Sequence, residues 1–270
     1  MPPIETYRAA LTALPAADWE PYLLAHSNLP GPRGNLELAQ AVADVGSEAQ
    51  FRHWASLGPD VAPENTPECF LAFCGVVGLG GSLRGAVSAT KQSPAHGGDC
   101  FANTARNDAP LRTLRTLAAD PRWRIREAVA MALQRWGDSD MPALLAEMVD
   151  WARGNLWEQR AAAAALCEPR LLKQPEHAAA VLRILDEITA SIPALAGLRP
   201  SQGARDAFKT LRQGLAYCWS VAVAALPDAG KPLMEKWLAS SDPDVRWIMR
   251  ENLKKNRLAK MDTTWVARWM

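Results

Sequence analysis

The sequence predicts an all-α protein in which antiparallel helix pairs stack into a right-handed array. Three observations lead there. No segment sustains the apolar–polar alternation that a half-buried strand requires, and β-branched residues are few. Apolar residues recur instead at spacings of three and four, with Ala, Leu, Glu and Arg between them. A short pattern, an apolar residue followed by Arg and then by Leu seven after the Arg, returns along the second half of the chain.

The periodicity predicts helices over roughly 5–14, 18–26, 35–57, 67–80, 109–119, 123–136, 141–153, 156–167, 175–191, 202–226, 230–239, 243–257 and 263–269. The second of these stops before the rigid turn Pro30-Gly31-Pro32, and Asn35 is placed to cap the third. Gly58-Pro59 ends that third helix. The next carries the longest uncharged apolar run, Cys69 to Leu83, whose 15 residues include four Gly and are too few for a membrane span. Residues 84–110 lack helical periodicity, and Gly97-Gly98 marks 85–107 as a segment that is mobile or ordered only by contacts with the array, where proteases should nick first. Asp120-Pro121 and Asp242-Pro243 read as helix starts, with a capping carboxylate and a proline that has no N–H to leave unpaired. Gly137 and Pro169 separate the helices between them.

A chain of 270 residues makes one large domain or two small ones. With 49% hydrophobic and 22% charged residues it is globular rather than disordered. A net charge of +1 excludes a generally basic coat. That total hides an asymmetry, −5 over residues 1–110 and +6 over 111–270. Five scattered Cys make no disulfide framework and point to reduced thiols in the cytoplasm, and Met1-Pro2-Pro3-Ile4-Glu5 does not read as a secretory signal. The 11 Trp are expected mainly in the core, with their indole N–H groups bonded.

The repeat is clearest over Ile125-Arg126 to Leu133 and Val245-Arg246 to Leu253, with weaker copies at Arg160 and Arg212. These four Arg are separated by 34, 52 and 34 residues. Asp242-Pro243-Asp244-Val245-Arg246 with Leu253 resembles the second helix of a HEAT repeat, as does Asp120-Pro121 with Arg126, Ala128 and Leu133. The resemblance covers about residues 109–257 and implies a HEAT-like α-solenoid over 109–270, with 1–108 as a helical cap on its first hairpin. It also implies that the repeated Arg ties neighbouring hairpins together through an Asp or a carbonyl, and that the concave face binds a partner.

On a helical wheel of 243–257, Arg246, Arg250, Lys254 and Arg257 form one basic stripe beside the apolar arc of Val245, Ile248, Met249 and Leu253. Trp123 and Trp247 lie about opposite the apolar arcs of their helices. These residues, with Arg126, are the candidate partner-binding set. His96, Asp99 and Cys100 are compatible with a nucleophile–base or metal site, but no second His/Cys pair stands at ligand spacing, and a Gly-rich loop is the preferred reading. The loop His26 to Asn35 reads as a structured connection, with a partner contact as its second reading. No catalytic, cofactor or metal motif is matched. The functional expectation is a non-catalytic binding or scaffold module for a protein or peptide, with nucleic acid as the second partner class and no membrane. The alternative is a HEAT-like DNA glycosylase of the alkylation-repair type, which requires a positive cleft with an unpaired carboxylate. Asp120 beside Trp123 and Asp244 beside Trp247 have the neighbours but read more simply as helix-start residues.

Overall fold

In the computed structural model the described residues are 2–83, 100–195 and 201–270. They hold fifteen α-helices and no strand, the all-α class that the periodicity requires. No described helix is long and apolar enough to cross a membrane. The chain divides into two compact units, Met1–Asp140 and Met141–Met270.

The first unit contains α1 (Ile4–Ala13), α2 (Trp19–Ala25), α3 (Leu36–Val45), α4 (Glu48–Ala55), α5 (Pro67–Ser82), α6 (Cys100–Leu117) and α7 (Trp123–Ser139). Its axis is α5. This helix is apolar on every side, so it can be stable only when covered all round, and Cys69 through Gly80 are all buried. Helices α3, α4 and α7 supply most of the cover. Two glycines set the closeness of that packing. A Cβ at Gly75 would stand 2.4 Å from the backbone N of Ala55 in α4, and one at Gly80 would stand 2.2 Å from the carbonyl oxygen of Ala132 in α7. Thr66 starts α5 by accepting from the Cys69 N–H, with Pro67 at the first helical position.

Three sequence expectations change in this unit. The helix expected over 35–57 is two helices, because Ser47 and Gln50 form a reciprocal capping box just after Gly46 and restart the chain as α4. The loop expected over 85–107 is helical from Cys100 onward, since α6 begins there; residues 84–99 lie outside the described residues. Asp120 does not cap a helix beginning at Pro121. Instead α7 begins at Trp123, and the Asp120 carboxylate takes the Arg122 N–H at 2.8 Å and its guanidinium at 2.9 and 2.8 Å. The remaining nitrogen of Arg122 donates to the carbonyls of Leu57 and Ala62, at 2.9 and 3.0 Å, so one buried guanidinium ties the loop after α4 to the start of α7. Burial works against the Arg122 charge, and the Asp120 carboxylate outweighs it, holding the pKa above its ordinary value. By its packing on α5, α7 belongs to this unit, and the division between units falls after Asp140.

The second unit contains α8 (Met141–Ala152), α9 (Leu156–Leu166), α10 (Pro175–Ser191), α11 (Gln202–Ala225), α12 (Pro227–Leu238), α13 (Pro243–Leu253), α14 (Asn256–Met261) and α15 (Thr263–Trp269). Here α11 is the axis, packed by α9, α10, α12, α13 and α14. Asp242 caps α13 as its sequence predicts, accepting from the N–H groups of Asp244 and Val245 at 2.9 Å each. Fully buried Asn252 locks α13 onto α11 by donating to the Leu215 carbonyl and accepting from the Ser220 N–H, both at 2.8 Å. The helix expected over 243–257 stops at Leu253. Lys255 adopts an extended backbone and the chain restarts as α14.

The tryptophans behave as core residues with bonded indoles at several sites. Trp54 donates to Glu20, Trp151 to Glu147 and Trp219 to Thr189, and all three rings are fully buried. Trp237 and Trp265 donate to Asp186 and Glu235.

Candidate functional site

A surface feature of the first unit is built on the hydrogen-bonded loop between α2 and α3. Asn35 organises it. Its side-chain NH2 donates to the His26 carbonyl and the Tyr7 hydroxyl, each at 2.9 Å, while its Oδ1 accepts from the Leu38 N–H and caps α3. Ser27 accepts from the Leu29 N–H, and the loop closes with the Asn35 N–H on the Ser27 carbonyl at 3.0 Å. Gly31 is needed where it stands, because a Cβ there would lie 2.5 Å from the Asn28 carbonyl oxygen. Arg124 then fastens this loop to α7. Its guanidinium donates to the Gly31 carbonyl at 2.6 Å and to Asn65 at 3.2 Å, and pairs with Glu64. Asn65 in turn accepts from the Gly31 N–H at 2.9 Å.

Between this loop, α5 and α7 lies a cavity of about 270 Å³. Leu29, Leu36, Phe70, Phe73, Trp123 and Met131 form its walls, and Arg33, Arg124 and Glu127 its polar margin. The Phe70 and Phe73 rings are nearly parallel, 8° apart with centroids at 6.3 Å. Trp123 is 46% exposed, and the Arg124 guanidinium lies 4.5 Å from its ring centroid, which fixes the indole beside the cavity. A mostly apolar hole with a few placed polar groups is the usual form of a small binding site. Here the buried hydrogen bonds of Asn35 and Arg124 hold its walls in place in the free protein.

The sequence-predicted residues separate. Trp123 lines this cavity, while Arg126, one turn on, donates to the carbonyls of Asp120 and Pro121 at 2.6 and 3.0 Å and holds the start of α7. In the second unit Trp247 is half-buried, with the Arg212 guanidinium 3.9 Å over its ring, and Arg212 pairs with Asp244 at 3.1 Å. The four-residue basic stripe does not run along one helix, because α13 ends before Arg257. Arg246 and Arg250 are exposed on α13. Lys254 and Arg257 instead line an open cavity of about 530 Å³ with Lys255, Lys260 and the exposed ring of Tyr217. Sequence reasoning missed Lys255, Lys260 and Tyr217: a single continuous wheel puts Lys255 opposite the stripe, Lys260 lies past the end of the helix expected over 243–257, and Tyr217 belongs to another helix. In the first unit it missed the Phe70–Phe73 wall, for which an all-round apolar helix gives no directional signal.

Thiol chemistry is suppressed at three buried cysteines, Cys69, Cys74 and Cys167. Burial pushes the Cys69 thiol up to about 11, and burial pushes Cys74 and Cys167 well above the ordinary thiol value.

No family model matches the chain, and no curated protein matches it. Among solved structures it is similar to the crystal structure of an engineered protein, with 15% identity over 97% of this chain and 98% of that one and a TM-score of 0.34.

Proposed function

We propose that the chain is a non-catalytic helical-repeat module, HEAT-like in its second helices, that grips a protein partner by seating one bulky apolar side chain in the cavity of the first unit. The observation that carries this reading is the cavity itself: ring-walled, held open by buried hydrogen bonds, and flanked by an exposed tryptophan. Its Trp, Arg, Phe and Met are the residue types that dominate protein–protein contacts. Arg33, exposed at the margin, supplies donors that suit a backbone carbonyl beside an anchoring side chain. The repeat reading is supported by Asp242 at the start of α13, by Arg126 on two carbonyls and by the Arg212–Asp244 pair. The carboxylates beside Trp123 and Trp247 are both engaged by arginines, so neither is the unpaired carboxylate that the glycosylase alternative requires.

Gly34 supplies the test. A Cβ there would meet the Phe70 ring at an ordinary 3.6 Å, so Gly34→Leu fills the cavity from its margin without forcing the backbone. A random peptide library is selected on the wild-type protein, and each recovered peptide is measured again on Gly34→Leu. Seating a Leu- or Phe-sized side chain is worth about 1.5–3 kcal/mol. Selected peptides are therefore expected to carry an aromatic or branched anchor and to lose about tenfold or more in affinity on the filled variant. Peptides that bind both proteins equally, or no enrichment at all, would overturn the reading.

A further inference from the structure

The basic cavity of the second unit stands apart from this reading and rests on its own observations. Lys254 and Lys255 come from the break between α13 and α14, Arg257 and Lys260 from α14, and Tyr217 from α11. No carboxylate is among the lining residues. Glu251 pairs with Lys254 across an exposed i,i+3 contact that a phosphate displaces at little cost, so all four cations remain available. Arg257 and Lys260 are three apart on one short helix and so project to the same side. Tyr217 is 45% exposed among these cations. It is also held in place, since Arg257 donates to its hydroxyl and the guanidinium carbon lies 4.6 Å from its ring centroid.

We infer that this cavity binds a single-stranded nucleic-acid segment, with Lys254, Lys255, Arg257 and Lys260 on successive phosphates and Tyr217 as the surface on which one base stacks. Charge complementarity alone would serve an acidic peptide equally well. The fixed, exposed aromatic ring within the cation cluster favours nucleic acid, because a base has a flat face to lay on it and an acidic side chain has none. At about 530 Å³ and open to solvent, the space is also the larger of the two cavities.

The test uses the full chain and three probes: an oligothymidylate of about a dozen residues, the same oligomer lacking its bases, and an oligoglutamate of similar length. Four phosphate contacts on a single strand lower affinity about 50-fold between roughly 50 and 200 mM salt. The double substitution Lys254→Gln and Lys260→Gln, both at exposed positions, is expected to reduce that dependence to about 7-fold. The base-free oligomer is expected to bind the wild-type protein about 5-fold more weakly or worse, and Tyr217→Leu to bring the oligothymidylate to the same level. The base-free comparison needs no variant, so it stands even if Tyr217→Leu is poorly folded. Equal binding of the base-free oligomer, tighter binding of oligoglutamate, an unchanged salt dependence in the double variant, or no binding at the lower salt would each overturn the inference.

Discussion

Replacing Arg122 with Met is expected to be among the most damaging single changes in the first unit. Arg122 is 3% exposed and Asp120 8%, so the substitution leaves a carboxylate buried without its counter-charge. Removing one partner of such a pair typically costs about 3–5 kcal/mol. The carbonyls of Leu57 and Ala62 also lose their donor, and each adds up to about 1 kcal/mol. The sum is about 3–7 kcal/mol, which for a chain of this size lowers the midpoint of thermal unfolding by roughly 6–28 °C. Urea unfolding followed by tryptophan fluorescence reads the loss as a lower midpoint with an unchanged slope. A second variant isolates the cause. Asp120→Leu combined with Arg122→Met removes both charges and should recover most of the stability, leaving the two carbonyls as the residual cost. A single-variant cost under about 1 kcal/mol, or a double variant as unstable as the single, would refute the account of this pair.

Asp44 bridges Arg8 and Arg135; burial works to raise its pKa, and the two guanidiniums outweigh that and hold it below the usual carboxylate value. Its contribution is therefore present at neutral pH and lost as pH falls through the depressed value, so Asp44→Asn should cost about 1–2 kcal/mol near pH 7 and converge with wild type in strong acid, as acid titration of unfolding would show. Gly80→Ala places a methyl group against the Ala132 carbonyl oxygen and should cost about 1–3 kcal/mol by forcing α5 and α7 apart, a loss that chemical denaturation measures directly. Cys69, Cys74, Cys167 and Cys218 are all buried, so a thiol reagent at neutral pH should modify them no faster than the protein opens, and rapid modification of any of the four in the native state would contradict their placement.

Helix existence was legible in the sequence wherever one apolar face repeated, and the interruptions were not. The apolar spacing runs through Ala43 and Phe51 without a gap, so only the Ser47–Gln50 cap reveals that α3 and α4 are separate. The same continuity hid the break at Lys254-Lys255, and with it the true set of cations around Tyr217. α6 went unread before residue 109 because Ala102 to Asp108 is polar and small, with no apolar stripe to count. Asp120 looked like a cap because the sequence does not show that Arg122, two residues on, folds back onto it. Trp123 was marked as exposed by its place opposite an apolar arc, and it is exposed; Trp247 had the same mark, but Arg212, from the neighbouring helix α11 and 35 residues away in sequence, covers its ring. The cavity of the first unit joins three segments near residues 29–36, 70–73 and 123–131, each ordinary by itself. Their meeting is a product of tertiary packing, which no local spacing encodes.

The central claim is that a partner's side chain enters that cavity, and Met131, at its wall, reports on it. The direct measurement is a methyl spectrum of the protein labelled at methionine, recorded during titration with a peptide selected on the wild-type chain. The account predicts that the Met131 methyl resonance shifts most among the methionines, that the Trp123 indole N–H shifts with it, and that both stay in place when Gly34→Leu is titrated. Shifts confined to methionines of the second unit, with Met131 and Trp123 unmoved, would contradict it.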